Sequence, residues 1–233
     1  MSSRIMSICA AALLATVLAG CSSTGKGEST YAGAAPHDYQ KLLAESRTAA
    51  QAAMIESSRA AKQELALAGI EAAKRCLMTS PENPGCHYWR AVNTGLYHSV
   101  HIVGYQKGVK RMISDCKRIV KLDPEYEHAG AYRMLGQIYT QLPQTAGRPD
   151  SVTRDLDLAE GYLLKAVQFA PDYPENHLAL SETLLAQGKT AVAIEALAQA
   201  NELTPHWRKD ASYAEWRNTA LTLEHKLGKR SKQ

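Results

Sequence analysis

"AEGYLLKAVQFAPDYPENHLALSETLLAQGKTAVAIEALAQANELTP", residues 159–205, carries one helical pattern twice. Ala159, Leu163, Ala166 and Pro171 recur as Ala193, Leu197, Ala200 and Pro205, each displaced by 34 residues. Apolar residues spaced by four and then three share one face of a helix. Alanines on that face let two helices approach closely, and larger residues of a neighbouring helix fill the gaps. Each proline closes its helix, because it lacks an N–H and disfavours helix in the residue before it. A unit this small hides only part of its apolar face, so copies must stack to complete a core.

Upstream, "YRMLGQIY" at residues 132–139 supplies the companion helix, and "WRAVNTGL" at 89–96 and "HLALSETL" at 177–184 follow it more loosely. Pro81 to Pro124 and Trp89 to Tyr132 are both offsets of 43, so the earlier units share the plan with insertions. The period of 34 and the W-x2-L-G-x2-Y spacing resemble the tetratricopeptide (TPR) repeat. The fold expected is all-α: a TPR-like helical-hairpin solenoid with a degenerate N-terminal repeat and a C-terminal capping helix. Helices are expected near 38–57, 61–79, 86–98, 105–122, 127–142, 154–169, 174–187, 190–203 and 208–227. Trp207 and Trp216 would anchor the last of them, and Trp89 and Val92 fall on packing positions. No segment shows strand alternation. "PQTAGRPDSVTR", residues 143–154, separates the two helices of one repeat, and its prolines and glycine forbid helix there. Such a loop is either functional or a neutral surface insertion.

The 233-residue chain is 45% hydrophobic, enough for one packed domain, and its net charge of +4 is too mild for a dedicated nucleic-acid binder. "MSSR" followed by "IMSICAAALLATVL" has the order of a secretory signal: a positive start, then an apolar run too short to be a mature span. The run ends in "LAGC", residues 18–21, which resembles a bacterial lipobox. That resemblance implies cleavage of residues 1–20, lipidation of Cys21, and anchoring by acyl chains. Ser22 after the cysteine implies sorting to the outer membrane, facing the periplasm. Residues 21–36, small and polar, read as a flexible tether. The folded domain is expected over 37–228, with 229–233 a disordered basic tail.

"YWRAVNTG", "YRMLGQIYTQLP" and the order of inserts around them resemble the TatT family, the TPR lipoproteins associated with TRAP-type transporters. The resemblance covers about residues 62–203. It implies a lipid-anchored periplasmic scaffold that docks a periplasmic solute-binding protein. The family often has paired glycines after the "LP"; here a single Gly147 precedes Arg148, and these two are the candidates in that loop. The other class of function is an outer-membrane lipoprotein assisting the assembly of barrels or secretins. The partners implied are the solute-binding protein, the membrane through the anchor, and a second copy of the chain in a homo-oligomer, with no nucleic acid.

"CHYWRAVNTGLYHS", residues 86–99, is the densest chemistry in the chain. His87, Arg90, Thr94, Tyr97 and His98 fall on positions that usually line the inner groove of a TPR superhelix, and Arg133 and Gln137 are the equivalents of Arg90 and Thr94 one repeat later. Two arginines at matching positions would offer two planar forks to carboxylates; the plainer reading is solvated arginines with local ion pairs. His98 and His101 are too few for a closed zinc site, so no metal and no cofactor are expected. Cys76 closes one helix and Cys86 opens the next, so they either form a disulfide or stay as separate thiols. Cys116, on an apolar stripe, reads as a buried free thiol. Lys107, Lys110, Arg111, Arg118 and Lys121 form a basic stripe opposite it, either a solvated face or one meeting anionic lipid or an acidic partner. G-x-S-x-G, P-loop and H-E-x-x-H motifs are absent, and no enzyme is expected.

Overall fold

In the computed structural model, which describes residues 38–145 and 147–230, the capping signals of the sequence set the helix boundaries. α1 (Asp38–Ile55) turns into α2 (Arg59–Thr79), whose first turn is capped by the Ser58 hydroxyl accepting from the Ala61 N–H. Asn83 caps α3 (Pro84–Val100) by accepting from the Cys86 N–H, with Pro84 in the first turn, where a missing N–H costs nothing. α4 (Tyr105–Leu122) and α5 (Tyr126–Gln141) follow. Asp155 caps α6 (Leu156–Phe169) at the Leu158 N–H, and Pro174 opens α7 (Pro174–Gln187). α8 (Thr190–Leu203), a 3₁₀ turn (Thr204–Trp207) and α9 (Tyr213–Arg230) complete the described chain. No strand occurs among the described residues.

α1/α2, α3/α4, α5/α6 and α7/α8 are antiparallel hairpins stacked side by side, and α9 caps the last. The repeat alanines do what their spacing implies: Ala159, Leu163 and Ala166 are buried, as are Ala193, Leu197 and Ala200. The glycine of "YRMLG" has a steric cause. A Cβ on Gly136 would collide with the Leu163 side chain, so α6 seats its leucine directly against the α5 backbone. Two apolar clusters result. One gathers Trp89, Val92, Met112, Ile119 and Leu135 from α3, α4 and α5, with Ala50, Ala53 and Ala66 from α1 and α2; the other gathers Leu163, Leu178, Leu184, Trp216 and Leu223. α5 contributes to both, and Val120 and Tyr162 touch both.

Three boundaries depart from the sequence expectation. The first turn of α5 is not right-handed: Glu127, His128 and Ala129 have φ of 51°, 56° and 58°. In the flanking repeats the equivalent of Glu127 is a proline, Pro84 or Pro174, which fixes a negative φ; glutamate imposes no such restriction. The left-handed turn is held from outside, because the His128 carbonyl accepts from Arg133 Nη1 at 3.1 Å and from Asn176 Nδ2 at 3.2 Å. The expected helix from 208 begins instead at Tyr213, because the Asp210 carboxylate takes the Ser212 N–H at 2.8 Å and closes a turn ahead of it. At the other end, α9 continues to Arg230, so Lys229 and Arg230 are helical rather than part of a disordered tail. The expected signal segment, lipidated Cys21 and tether lie outside the described residues.

Candidate functional site

Of the residues expected to line an open groove, Thr94, Arg133 and Gln137 are buried, and Arg90, Tyr97 and His98 are partly buried. Arg133 is 1% exposed. Its Nε lies 3.3 Å from a Glu175 oxygen, its Nη1 donates to Asn176 Oδ1 at 2.9 Å, and its guanidinium sits 4.9 Å from the centre of the Tyr173 ring. Burial pushes the Glu175 carboxyl above its ordinary range, with Arg133 opposing and Glu215 adding to the rise. Arg90 is spent on buried Asp115: its Nε donates to Oδ2 at 2.9 Å and its Nη2 to Oδ1. His87 reaches the same carboxylate through Nδ1 at 2.9 Å. Thr94 returns its hydroxyl to the Arg90 carbonyl at 2.7 Å, and Gln137 is buried. The two-arginine groove is therefore corrected: α4 and α7 each supply a carboxylate to one arginine, and the pairs tie neighbouring helices together.

Tyr97 and His98 are half-buried. The Tyr97 ring meets those of His98 and His101 at centroid distances of 4.9 and 4.8 Å, and His98 Nδ1 lies 3.0 Å from the His101 carbonyl. Burial holds the His98 ring below its ordinary pKa. Gly147 and Arg148 are exposed in the loop of residues 142–155, which is tied back to the stack. Val152 exchanges two hydrogen bonds with the Gln106 amide, at 2.9 and 3.0 Å, and Lys110 pairs with Asp150 at 2.7 Å, which holds the Asp150 carboxyl below its ordinary range. Cys76 and Cys86 are joined in a disulfide with Cα atoms 5.8 Å apart, and Cys116 is a buried free thiol. No cluster of potential metal ligands occurs among the described residues, and no described helix is long and apolar enough to cross a membrane.

What does open to solvent is a cleft of about 500 Å³ between α6, α7 and α8. Leu180, Leu184 and Ala196 form its floor, and Leu164 and Val192, about half exposed, form its lips. Glu160 and Glu195 stand at the rim. Glu160 is held anionic by Lys189 Nζ at 2.6 Å and Gln187 Nε2 at 2.9 Å, which keep its carboxyl below the usual range. His177 closes one end; its Nε2 bonds the Pro171 carbonyl at 2.7 Å, as His87 Nε2 bonds the Pro81 carbonyl at 2.9 Å in the second hairpin. Apolar pockets with a few fixed polar groups suit a partner's protruding side chains. The sequence signal for this cleft is faint: Leu164 and Val192 are exposed on outer faces that also carry Leu158 and Ile194, so nothing local singles them out.

No family model matches the chain, and no curated protein matches it. Among solved structures it is similar to a thermophilic TPR protein of Thermus thermophilus, with a TM-score of 0.51 and 23% identity over 81% of this chain and 89% of that one. At that identity the likeness shows the fold alone: a TPR-like all-α solenoid, an architecture consistent with a protein–protein interaction scaffold.

Proposed function

We propose that the chain is a lipid-anchored scaffold facing the periplasm, which docks a solute-binding protein of a TRAP-type transport system and carries out no catalysis. The cleft between α6, α7 and α8 carries the reading. There the stack leaves Leu164 and Val192 about half exposed above a buried leucine floor, and exposed Glu195 at the rim offers a carboxylate to a basic residue beside the partner's apolar anchor. Three other features agree with the reading. The order "MSSR", apolar run, "LAGC" supports export and acylation at Cys21. The Cys76–Cys86 bridge suits an oxidising compartment. The "YWRAVNTG" and "YRMLGQIYTQLP" motifs support the transport association by resemblance to the TatT family.

A photo-cross-linking residue placed at Val192, with a second at exposed Glu71 on α2 as control, tests the proposal in intact cells. A solute-binding subunit trapped from Val192 and not from Glu71 is the expected outcome. Barrel-assembly or secretin components at Val192 would move the protein to envelope biogenesis. Equal capture from both positions would remove the cleft from the docking face.

A further inference from the structure

The three most exposed large apolar residues of the described chain are Ile55, Ile102 and Val103, at 76%, 71% and 78%. They share one edge of the solenoid. Ile55 ends α1 at its turn into α2, and Ile102 and Val103 form the turn from α3 to α4. Arg59 Nη2 joins the two turns by donating to the Val100 carbonyl at 3.0 Å. The α3–α4 turn closes through Gly104 in the left-handed region, φ 73°, which presents Ile102 and Val103 without a following side chain to cover them. Nothing in the packing requires branched apolar residues here, and turn tips are ordinarily polar.

Cations surround these tips. Lys107 and Arg111, one helical turn apart at the start of α4, are exposed and enter no ion pair among the described residues. Arg59 is exposed beside Ile55, and Arg148 projects from the next hairpin loop, which the bonds between Gln106 and Val152 hold against α4. Of the acids on this edge, Asp150 pairs with Lys110 at 2.7 Å; Glu56 accepts from the Ser58 N–H at 2.7 Å but keeps its charge, and Glu64 on α2 is exposed. Against these two carboxylates stand Arg59, Lys107, Arg111 and Arg148, so the charge beside the apolar tips is positive on balance.

We infer that this edge docks on an anionic phospholipid surface, with Ile55, Ile102 and Val103 entering the interfacial layer and Arg59, Lys107 and Arg111 meeting headgroup phosphates. Apolar tips flanked by cations suit the boundary between acyl chains and headgroups. The inference rests on the lipid-anchor reading for one step, the approach to the bilayer. α1 begins at the opposite edge, about 27 Å away by helix rise. The roughly 17 residues from Cys21 to His37 reach at most about 60 Å, enough for the turn edge to face the membrane that holds the anchor.

The test uses the full-length protein as processed and purified from a bacterial host, on vesicles of phosphatidylcholine alone or mixed with phosphatidylglycerol. Ile102→Cys carries an environment-sensitive fluorophore, and Met78→Cys on the opposite edge carries it as control; Cys116 is buried and Cys76 and Cys86 are bridged, and the chain without a new cysteine, labelled in parallel, accounts for Cys9 and Cys21. On mixed vesicles the label at position 102 should shift to apolar emission and be quenched by a lipid-borne nitroxide, while the label at 78 stays in water. Lys107→Gln and Arg111→Gln should each lower the docked-to-undocked ratio about fivefold. A label at 102 that stays in water while the protein floats with mixed vesicles overturns the docking and leaves the anchor intact. Equal shielding on neutral vesicles overturns the role of the cations. Concentration-dependent shielding without vesicles assigns the edge to a second copy instead. Flotation with mixed but not neutral vesicles upholds the docking and refutes the anchor; flotation with neither refutes both.

Discussion

Arg133→Met separates an internal tie from an exposed binding group. The guanidinium and Glu175 face each other at 3.3 Å with 2% and 8% of their side chains exposed. At an effective dielectric near 20 the direct attraction is about 5 kcal/mol, much of it offset by the cost of taking both ions out of water. Removing the arginine leaves the buried Glu175 carboxylate without its counter-ion, takes the Arg133 donor from Asn176 Oδ1, and leaves the His128 carbonyl with Asn176 Nδ2 alone. Urea denaturation at neutral pH should show a loss of about 3–5 kcal/mol. Glu175→Gln in the same chain should restore part of it, with a coupling of about 1–3 kcal/mol in the double-mutant cycle. The pH dependence gives a second reading. Burial raises the Glu175 pKa above its unfolded value, so its protonated form favours the fold, and that stability is lost as pH rises through the folded pKa. The Arg133→Met deficit should therefore shrink on acidification, and Glu175→Gln should abolish the effect. A variant within about 1 kcal/mol of wild type with an unchanged pH profile would match a solvated surface arginine and refute the internal pairing.

Glu127→Gly relieves a left-handed residue and should raise stability by about 1 kcal/mol in thermal or urea unfolding; a loss of that size would mean the first turn of α5 is right-handed after all. Gly136→Ala pushes α6 away from the α5 backbone and should cost about 1–3 kcal/mol, with Leu163→Ala making the alanine tolerable in the double variant. Replacing Cys76 and Cys86 with alanine opens a short loop and should lower stability by about 3 kcal/mol, while reductant leaves the double variant unaffected.

The helix order was legible because alanine spacing, proline stops and asparagine or aspartate caps act over a few residues. The direction of the inner side chains was not. Whether Arg133 meets solvent or Glu175 depends on how closely α7 settles on α5, and Glu175, at the start of a helix, looks like an ordinary favourable charge at a helix N-terminus. Asp115 was hidden within the basic stripe of α4, where its neighbours suggest an outer face. The left-handed turn at residues 127–129 is dictated by Arg133 and Asn176, the latter from another repeat, so no local propensity announces it. The cleft between α6, α7 and α8 comes from the spacing of two hairpins, which the 34-residue period implies without fixing its width.

α5 is a party wall between two apolar clusters, and this gives the molecule a place to bend. Stacked repeats are stable largely through nearest-neighbour interfaces, so the two halves are coupled only through this shared helix and what touches it. Strain applied at one end is absorbed where α4 meets α5, and amides on either side should exchange with solvent as two groups rather than one. A body held to a surface by its first two hairpins and loaded by a partner on its last two would then work as an elastic joint, its compliance set by a single wall.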